Sequence, residues 1–178
     1  MSSREQASSR ENLLVTGPPG IGKTTVMVAL AERLSDRVIA GFHTAEIRQA
    51  KRREGFRATT FSGHQGVLAH VRFSSRHRVG RYGVDVAGFE QLVLRELARP
   101  CDILLIDEIG KMECFSPRFV TTVQGLLDGP TPVVATVAVR GGGFISEVKA
   151  RPDVQIWNVT RANRDALPDR LARALTPA

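Results

Sequence analysis

Apolar and polar positions along the chain fall into blocks of two kinds, and the two kinds alternate. "NLLVT" at 12–16 is a short apolar run of the type that suits a buried strand. "KTTVMVALAERL" at 23–34 carries Val26, Ala29, Leu30, Ala31 and Leu34 at helical spacing. Over 37–61 two β-leaning pieces flank a charged centre, which predicts a hairpin with its tip near Lys51 to Glu54. "GVLAHVRF" at 66–73 predicts a further strand, and Val86, Phe89, Val93 and Leu97 mark the apolar face of a helix over 85–98. "DILLIDE" at 102–108 holds four consecutive apolar residues, as expected of a central parallel strand covered on both faces. Phe119, Val120, Val123, Leu126 and Leu127 predict a helix with Pro117 near its first turn. A buried strand ("PVVATVAV", 132–139), a short helix ("FISEVKA"), a strand ("VQIWNV") and a closing helix ("RDALPDRLARAL") complete the chain.

Strands alternating with helices imply an α/β fold: a mostly parallel sheet with helices on both faces, interrupted by the hairpin at 37–61. No internal repeat, low-complexity tract or dividing linker is visible. Residues 1–11 read as a disordered tail and 12–178 as a single domain.

Composition narrows the setting. Of 178 residues, 42% are hydrophobic and 24% charged, an ordinary globular balance. Twenty-five basic against eighteen acidic side chains leave a net charge of +7, which favours anionic partners without choosing among them. No apolar run approaches the ~20 residues that span a bilayer, so no membrane partner is expected. The N-terminal "MSSREQASSREN" has no apolar segment of the secretory kind. Cys101 and Cys114 have neither the number nor the spacing of a disulfide or zinc framework, and a reducing cytoplasm fits them best.

The chemistry concentrates in two places. Gly17-Pro18-Pro19-Gly20-Ile21-Gly22-Lys23-Thr24 satisfies G-x-x-x-x-G-K-[ST] between a strand and a helix. Gly20 and Gly22 can turn successive N–H groups inward, and the helix adds its own free N–H groups, making a nest for a polyphosphate. Lys23 is placed to reach the β- and γ-phosphates, Thr24 to ligate Mg²⁺, and Thr25 to donate to the α-phosphate. The second place is Ile103 to Glu108, where an apolar strand ends on two acids. Asp107 is expected to hold Mg²⁺ and Glu108 to orient and deprotonate a water at the γ-phosphate. Accessory candidates are Thr136 on a third apolar strand, and Lys111 and Glu113 just beyond the acids. Arg78, Arg81 and Arg140 are candidates to stabilise transition-state charge. The basic clusters "RQAKRREGFR" and "RFSSRHRVGR" show no aromatic platform, and read as solvated charge before a nucleic-acid surface.

Several blocks together resemble the small cancer-related nucleoside-triphosphatase family, which has thermophile and human members. They are "TGPPGIGKTT", "GFHTAEIR", "RREGF", "VGRYGVDV", "LLIDEIGKME", "FSPRF" and "NVTRANRD", spread over about 12–168. The resemblance implies a RecA-like variant of the P-loop NTPase fold. It also implies Mg²⁺-dependent hydrolysis of ATP, GTP and other nucleoside triphosphates with loose base preference. Gly17 to Thr24, Asp107, Glu108, Lys111 and Glu113 match the family's motif positions. His43 and Ala45 depart from it, standing where the family often has Tyr and an acid. Two alternatives stay open: a nucleotide or nucleoside kinase, whose acceptor pocket would have to come from 37–61 or 72–81, and a nucleic-acid-stimulated ATPase.

Overall fold

The computed structural model describes residues 12–175; the expected tail at 1–11 lies outside the described residues. The elements are β1 (Asn12–Thr16), α1 (Lys23–Arg33), β2 (Ile39–Gln49), β3 (Arg52–Thr60), β4 (Gln65–His70), β5 (Arg78–Val79) and β6 (Tyr82–Val84). They continue with α2 (Val86–Leu97), β7 (Ile103–Ile109), α3 (Pro117–Leu127), β8 (Val133–Val137), α4 (Phe144–Lys149), β9 (Val154–Asn158) and α5 (Leu167–Ala174). One sheet carries the strands in the order β5-β6-β4-β3-β2-β7-β8-β1-β9.

The strand pairs divide this sheet in two. From β2 to β9 all neighbours are parallel, and from β2 outward to β5 all are antiparallel. The parallel half, counted in chain order, reads 5-1-4-3-2, the RecA-like arrangement. β1 and β7 are therefore not neighbours; β8 lies between them.

Alternation along the parallel strands feeds two cores. Leu14, Leu104, Ile106 and Ala135 face one side, against Phe89, Phe119 and Val148 of α2, α3 and α4. Leu13, Val15, Ile103, Leu105 and Val134 face the other, against Met27, Leu30 and Leu171 of α1 and α5. Each of these fully buried Leu, Ile, Val, Phe and Met side chains contributes about 1.5–3 kcal/mol through removal from water. This is why β7 tolerates an unbroken apolar run: both its faces are covered.

The antiparallel half is larger than the predicted hairpin. β4, then the short β6 and β5, extend β2 and β3 into a five-stranded flank. The β2–β3 turn is formed by Ala50 and Lys51, both with positive φ, rather than by 51–54. Positive φ at both central residues matches the twist of a two-residue hairpin, and the usual Asn-Gly signal is absent here. Gly41 joins the halves. Its φ is +121°, and an added Cβ would fall 1.8 Å from the Leu105 carbonyl oxygen on β7. No other residue type fits there.

Candidate active site

The phosphate-loop segment leaves β1 at Thr16 and enters α1 at Lys23. Gly20 and Gly22 take φ of +75° and +108°. Both values lie in the region that glycine occupies without penalty. α2 and α3 have side-chain caps, from Asp85 to the Gly88 N–H and from Ser116 to the Phe119 N–H. The N-cap of α1 is Gly22, which has no side chain to offer. The first-turn N–H groups of α1 therefore remain available at its positive end, the arrangement that binds anions. Lys23 lies back over the loop, its Nζ donating to the Gly17 carbonyl at 3.0 Å.

Opposite the loop, β7 ends on the two acids. Asp107 is 2% exposed, and its Oδ2 accepts from the Thr24 hydroxyl at 2.6 Å and from the Thr44 N–H at 3.4 Å. Its Oδ1 accepts from Thr136, fully buried on β8, at 2.5 Å. Thr136 thus bridges the strand that separates the loop from the acid. Burial raises the Asp107 pKa, while Thr136, Thr24 and Thr44 work the other way by bonding to the ionised form. Burial also raises Glu108; the charge of Lys23 opposes it and that of Asp107 adds to it. The Asp107–Glu108 peptide bond is cis.

Glu113 stands behind Glu108. A Cβ built on Gly110 would lie 2.8 Å from an oxygen of each carboxyl group, so the two oxygens are at most 5.6 Å apart, the sum of those distances. Glu113 is 4% exposed, and burial followed by the Glu108 charge pushes its pKa up to about 8. That places Glu113 mainly in its protonated form at neutral pH. Burial pushes the neighbouring Cys114 thiol up to about 12, with the Glu113 and Glu108 charges adding to it.

A cleft of about 860 Å³ runs between these parts. Gly17 to Gly20, Lys23 and Thr24 form one wall, Asp107 and Glu108 the floor, and Arg140 with Val139 the rim after β8. Thr44, Ala45, Glu46, Arg53 and Phe56 form the opposite wall. A second hollow of about 430 Å³ adjoins Gly22 and Thr25 and is lined by Arg33, Arg164 and Asp165 among others.

Sequence reasoning and geometry differ in places. Arg81 and Arg78 do not line the cleft. Arg81 donates to the Arg53 carbonyl and lies over the Tyr82 ring, while Arg78 donates to the Arg81 carbonyl at 2.8 Å. Lys111 is exposed beyond β7, outside the cleft lining. Of the three candidate arginines only Arg140 borders the cleft. The wall made by Thr44, Glu46, Arg53 and Phe56 was not foreseen. Its one sequence signal is strand alternation, which puts 44 and 46 on the same side of β2. Ala45, which departs from the family pattern, lines the cleft. His43 packs near Phe61, with a buried Nδ1 that has no hydrogen-bond partner among the described residues.

Comparisons with known proteins agree with this architecture. A nucleoside-triphosphatase named THEP1 from Thermotoga maritima is 36% identical over 166 residues, covering 92% of this chain and 94% of that protein. The human cancer-related nucleoside-triphosphatase is 40% identical over 177 residues, covering 89% and 93%. The crystal structure of THEP1 from Aquifex aeolicus superposes with a TM-score of 0.85 at 34% identity, covering 93% of this chain and 99% of that one. The solution structure of the human protein gives a TM-score of 0.81 at 38% identity, covering 93% and 97%. The family model described as NTPase matches residues 12–172. With the family model spanning 12–172 and these relatives each covering most of the chain, the chain belongs to the NTPase family.

Proposed function

We propose that the chain is a Mg²⁺-dependent cytoplasmic nucleoside-triphosphatase that cleaves ATP, GTP and related triphosphates to diphosphate and phosphate with loose base preference. The observation that carries this reading is the 2.6 Å contact between Thr24 and Asp107 in a cleft also lined by Lys23 and Glu108. A hydroxyl and a carboxylate side by side are the donor set of a hard cation whose remaining ligands are phosphate oxygens and water. Among the described residues no three His, Cys, Asp or Glu side chains cluster as a metal site, which suits a cation completed by its substrate. Bound there, Mg²⁺ would neutralise charge on the β- and γ-phosphates.

The chain's own groups supply the rest. The N–H groups of Gly20 and of Gly22 to Thr25 hold the phosphates; Pro18 and Pro19 have none to offer, and that of Ile21 is bonded to the Pro18 carbonyl. Lys23 exchanges the Gly17 carbonyl for a phosphate oxygen and stabilises the leaving diphosphate. Glu108 holds the attacking water and takes its proton. Its raised pKa brings it nearer the working pH, where a carboxylate base is most effective. The hollow beside Thr25 is suited to the nucleoside, with Arg164, half-exposed, as a flat surface that accepts any base. Arg48 is tied to Glu46, and Arg78 and Arg81 to backbone carbonyls. These engagements favour the solvated reading of the basic clusters over nucleic-acid binding.

Phosphate release from ATP, GTP, CTP and UTP with Mg²⁺ tests the proposal. Glu108→Gln should lower turnover by about 10²–10⁴-fold while nucleotide binding persists. Lys23→Ala should lose retention of the triphosphate itself. Unchanged turnover in Glu108→Gln would remove Glu108 as the base.

A further inference from the structure

The side of the cleft facing the phosphate loop is more than a water needs. Across the C-terminal ends of the parallel strands the order is loop (β1), Thr136 (β8), Asp107 and Glu108 (β7), then the hairpin (β2 and β3). An in-line nucleophile approaches the γ-phosphorus from the side opposite the diphosphate. That is the side of Glu108 and the hairpin wall. A single attacking water requires about 30 Å³. The cleft continues instead past Glu108 to Ala45, Glu46, Arg53 and Phe56.

The far end has a defined chemistry. The Arg53 guanidinium is held by two hydrogen bonds and two rings: Nε donates to the Tyr82 hydroxyl at 3.0 Å, Nη1 donates to Glu46 at 2.7 Å, and Cζ lies 5.3 Å from the Phe56 ring centre and 5.7 Å from that of Tyr82. Nη2 has no hydrogen-bond partner among the described residues, and the side chain remains 44% exposed. One edge of a fixed planar cation is thus open in a cleft, the geometry that receives a phosphate oxygen. Phe56 and Ala45 add apolar surface beside it.

Resting on the nucleotide and base assignments above, we infer that this end is a second-substrate subsite for a nucleoside monophosphate acting as phosphoryl acceptor. The acceptor's phosphate meets Nη2 of Arg53, its flat body lies along Phe56 and Ala45, and its free hydroxyl reaches the γ-phosphorus beside Glu108. The hydroxyl gives its proton to the Glu108 carboxylate as its oxygen bonds to the γ-phosphorus. The bond from that phosphorus to the β,γ-bridging oxygen breaks, and its electron pair leaves with the diphosphate. Triphosphate and alcohol become diphosphate, phosphate ester and a proton, with no further reactant. Hydrolysis is the same step with water in the alcohol's place.

The test is a product assay with γ-labelled ATP, Mg²⁺ and a panel of nucleoside 3′- and 5′-monophosphates at millimolar concentration. At least one member should become labelled, and its formation should reduce labelled free phosphate. Arg53→Met should raise the acceptor concentration for half-maximal labelling by tenfold or more, with a smaller change in the KM for ATP. Circular dichroism of the variant reports whether the flank is intact, and Arg53→Lys gives a milder second variant that should fall between. No labelled acceptor with any member of the panel, while free phosphate is still released, would overturn the subsite and leave the hydrolase reading standing. Labelling that survives Arg53→Met with the same half-maximal concentration would also overturn it. Neither acceptor labelling nor free phosphate would sink the underlying function instead.

Discussion

Replacing Glu113 with Gln should make the protein more resistant to unfolding in alkali. The carboxyl group lies in the turn after β7, 4% exposed, with Glu108 beside it. Burial first and the Glu108 charge second raise its pKa from the ordinary 4.5 to about 8. The folded state therefore binds this proton more tightly than the unfolded chain does. The stabilisation is complete below about pH 4.5, declines as pH rises, and is gone above about pH 8. Across those roughly 3.5 pH units, at about 1.4 kcal/mol per unit, it amounts to about 5 kcal/mol at most. Gln is neutral at every pH and nearly the same shape, so the variant lacks this dependence. Urea unfolding of both proteins at steps from pH 5 to 9 measures the difference. Wild type minus variant should fall by several kcal/mol and then level off. Two profiles parallel to within about 1 kcal/mol would show that the folded protein does not hold the Glu113 proton, and the account of its raised pKa would fail.

Two further perturbations address the scaffold. Thr136→Val keeps the shape on β8 but removes the hydroxyl that donates to Asp107, and should cost about 1.5–3 kcal/mol in urea unfolding near neutral pH. A loss under about 0.5 kcal/mol would mean the bond contributes nothing net. Gly41→Ala would drive a methyl group against the Leu105 carbonyl and should cost more than about 4 kcal/mol or prevent folding. A thermal melt within a few degrees of wild type, followed by circular dichroism, would contradict that close approach.

The parallel core was legible because its signals are strong and local. β7 reads as a buried strand from four consecutive apolar residues, and α1 and α3 read from helical spacing plus a Gly or a Pro at the start. The phosphate loop was legible for the same reason: its glycines, Lys23 and Thr24 are contiguous. β5 and β6 were not, because two- and three-residue strands carry no period to detect. The hairpin tip shifted because Ala50 and Lys51 adopt positive φ with neither Gly nor Asn to announce it. Glu113 was visible as a motif residue, but its burial depends on the turn from Met112 to Ser116 and on Gly110, which no spacing rule encodes. The Arg53 wall is harder still. Which arginine of a basic cluster enters the cleft is decided by the register of β3 on β2, including the irregularity between Ile47 and Arg48.

β2 belongs to both halves of the sheet, but along its length it is supported unequally. From Ile39 to Phe42 it pairs with β7 on one side, whereas from His43 to Gln49 its strand partner among the described residues is β3 alone. The strand is therefore a cantilever clamped at Phe42. Its outer part carries Glu46 and, through β3, Arg53; its first free residues include Thr44, whose N–H touches Asp107. One short backbone segment thus contacts the carboxylate between Thr24 and Thr136 at Thr44 and, two residues on, anchors Arg53 through Glu46, so both ends of the cleft hang on the same strand.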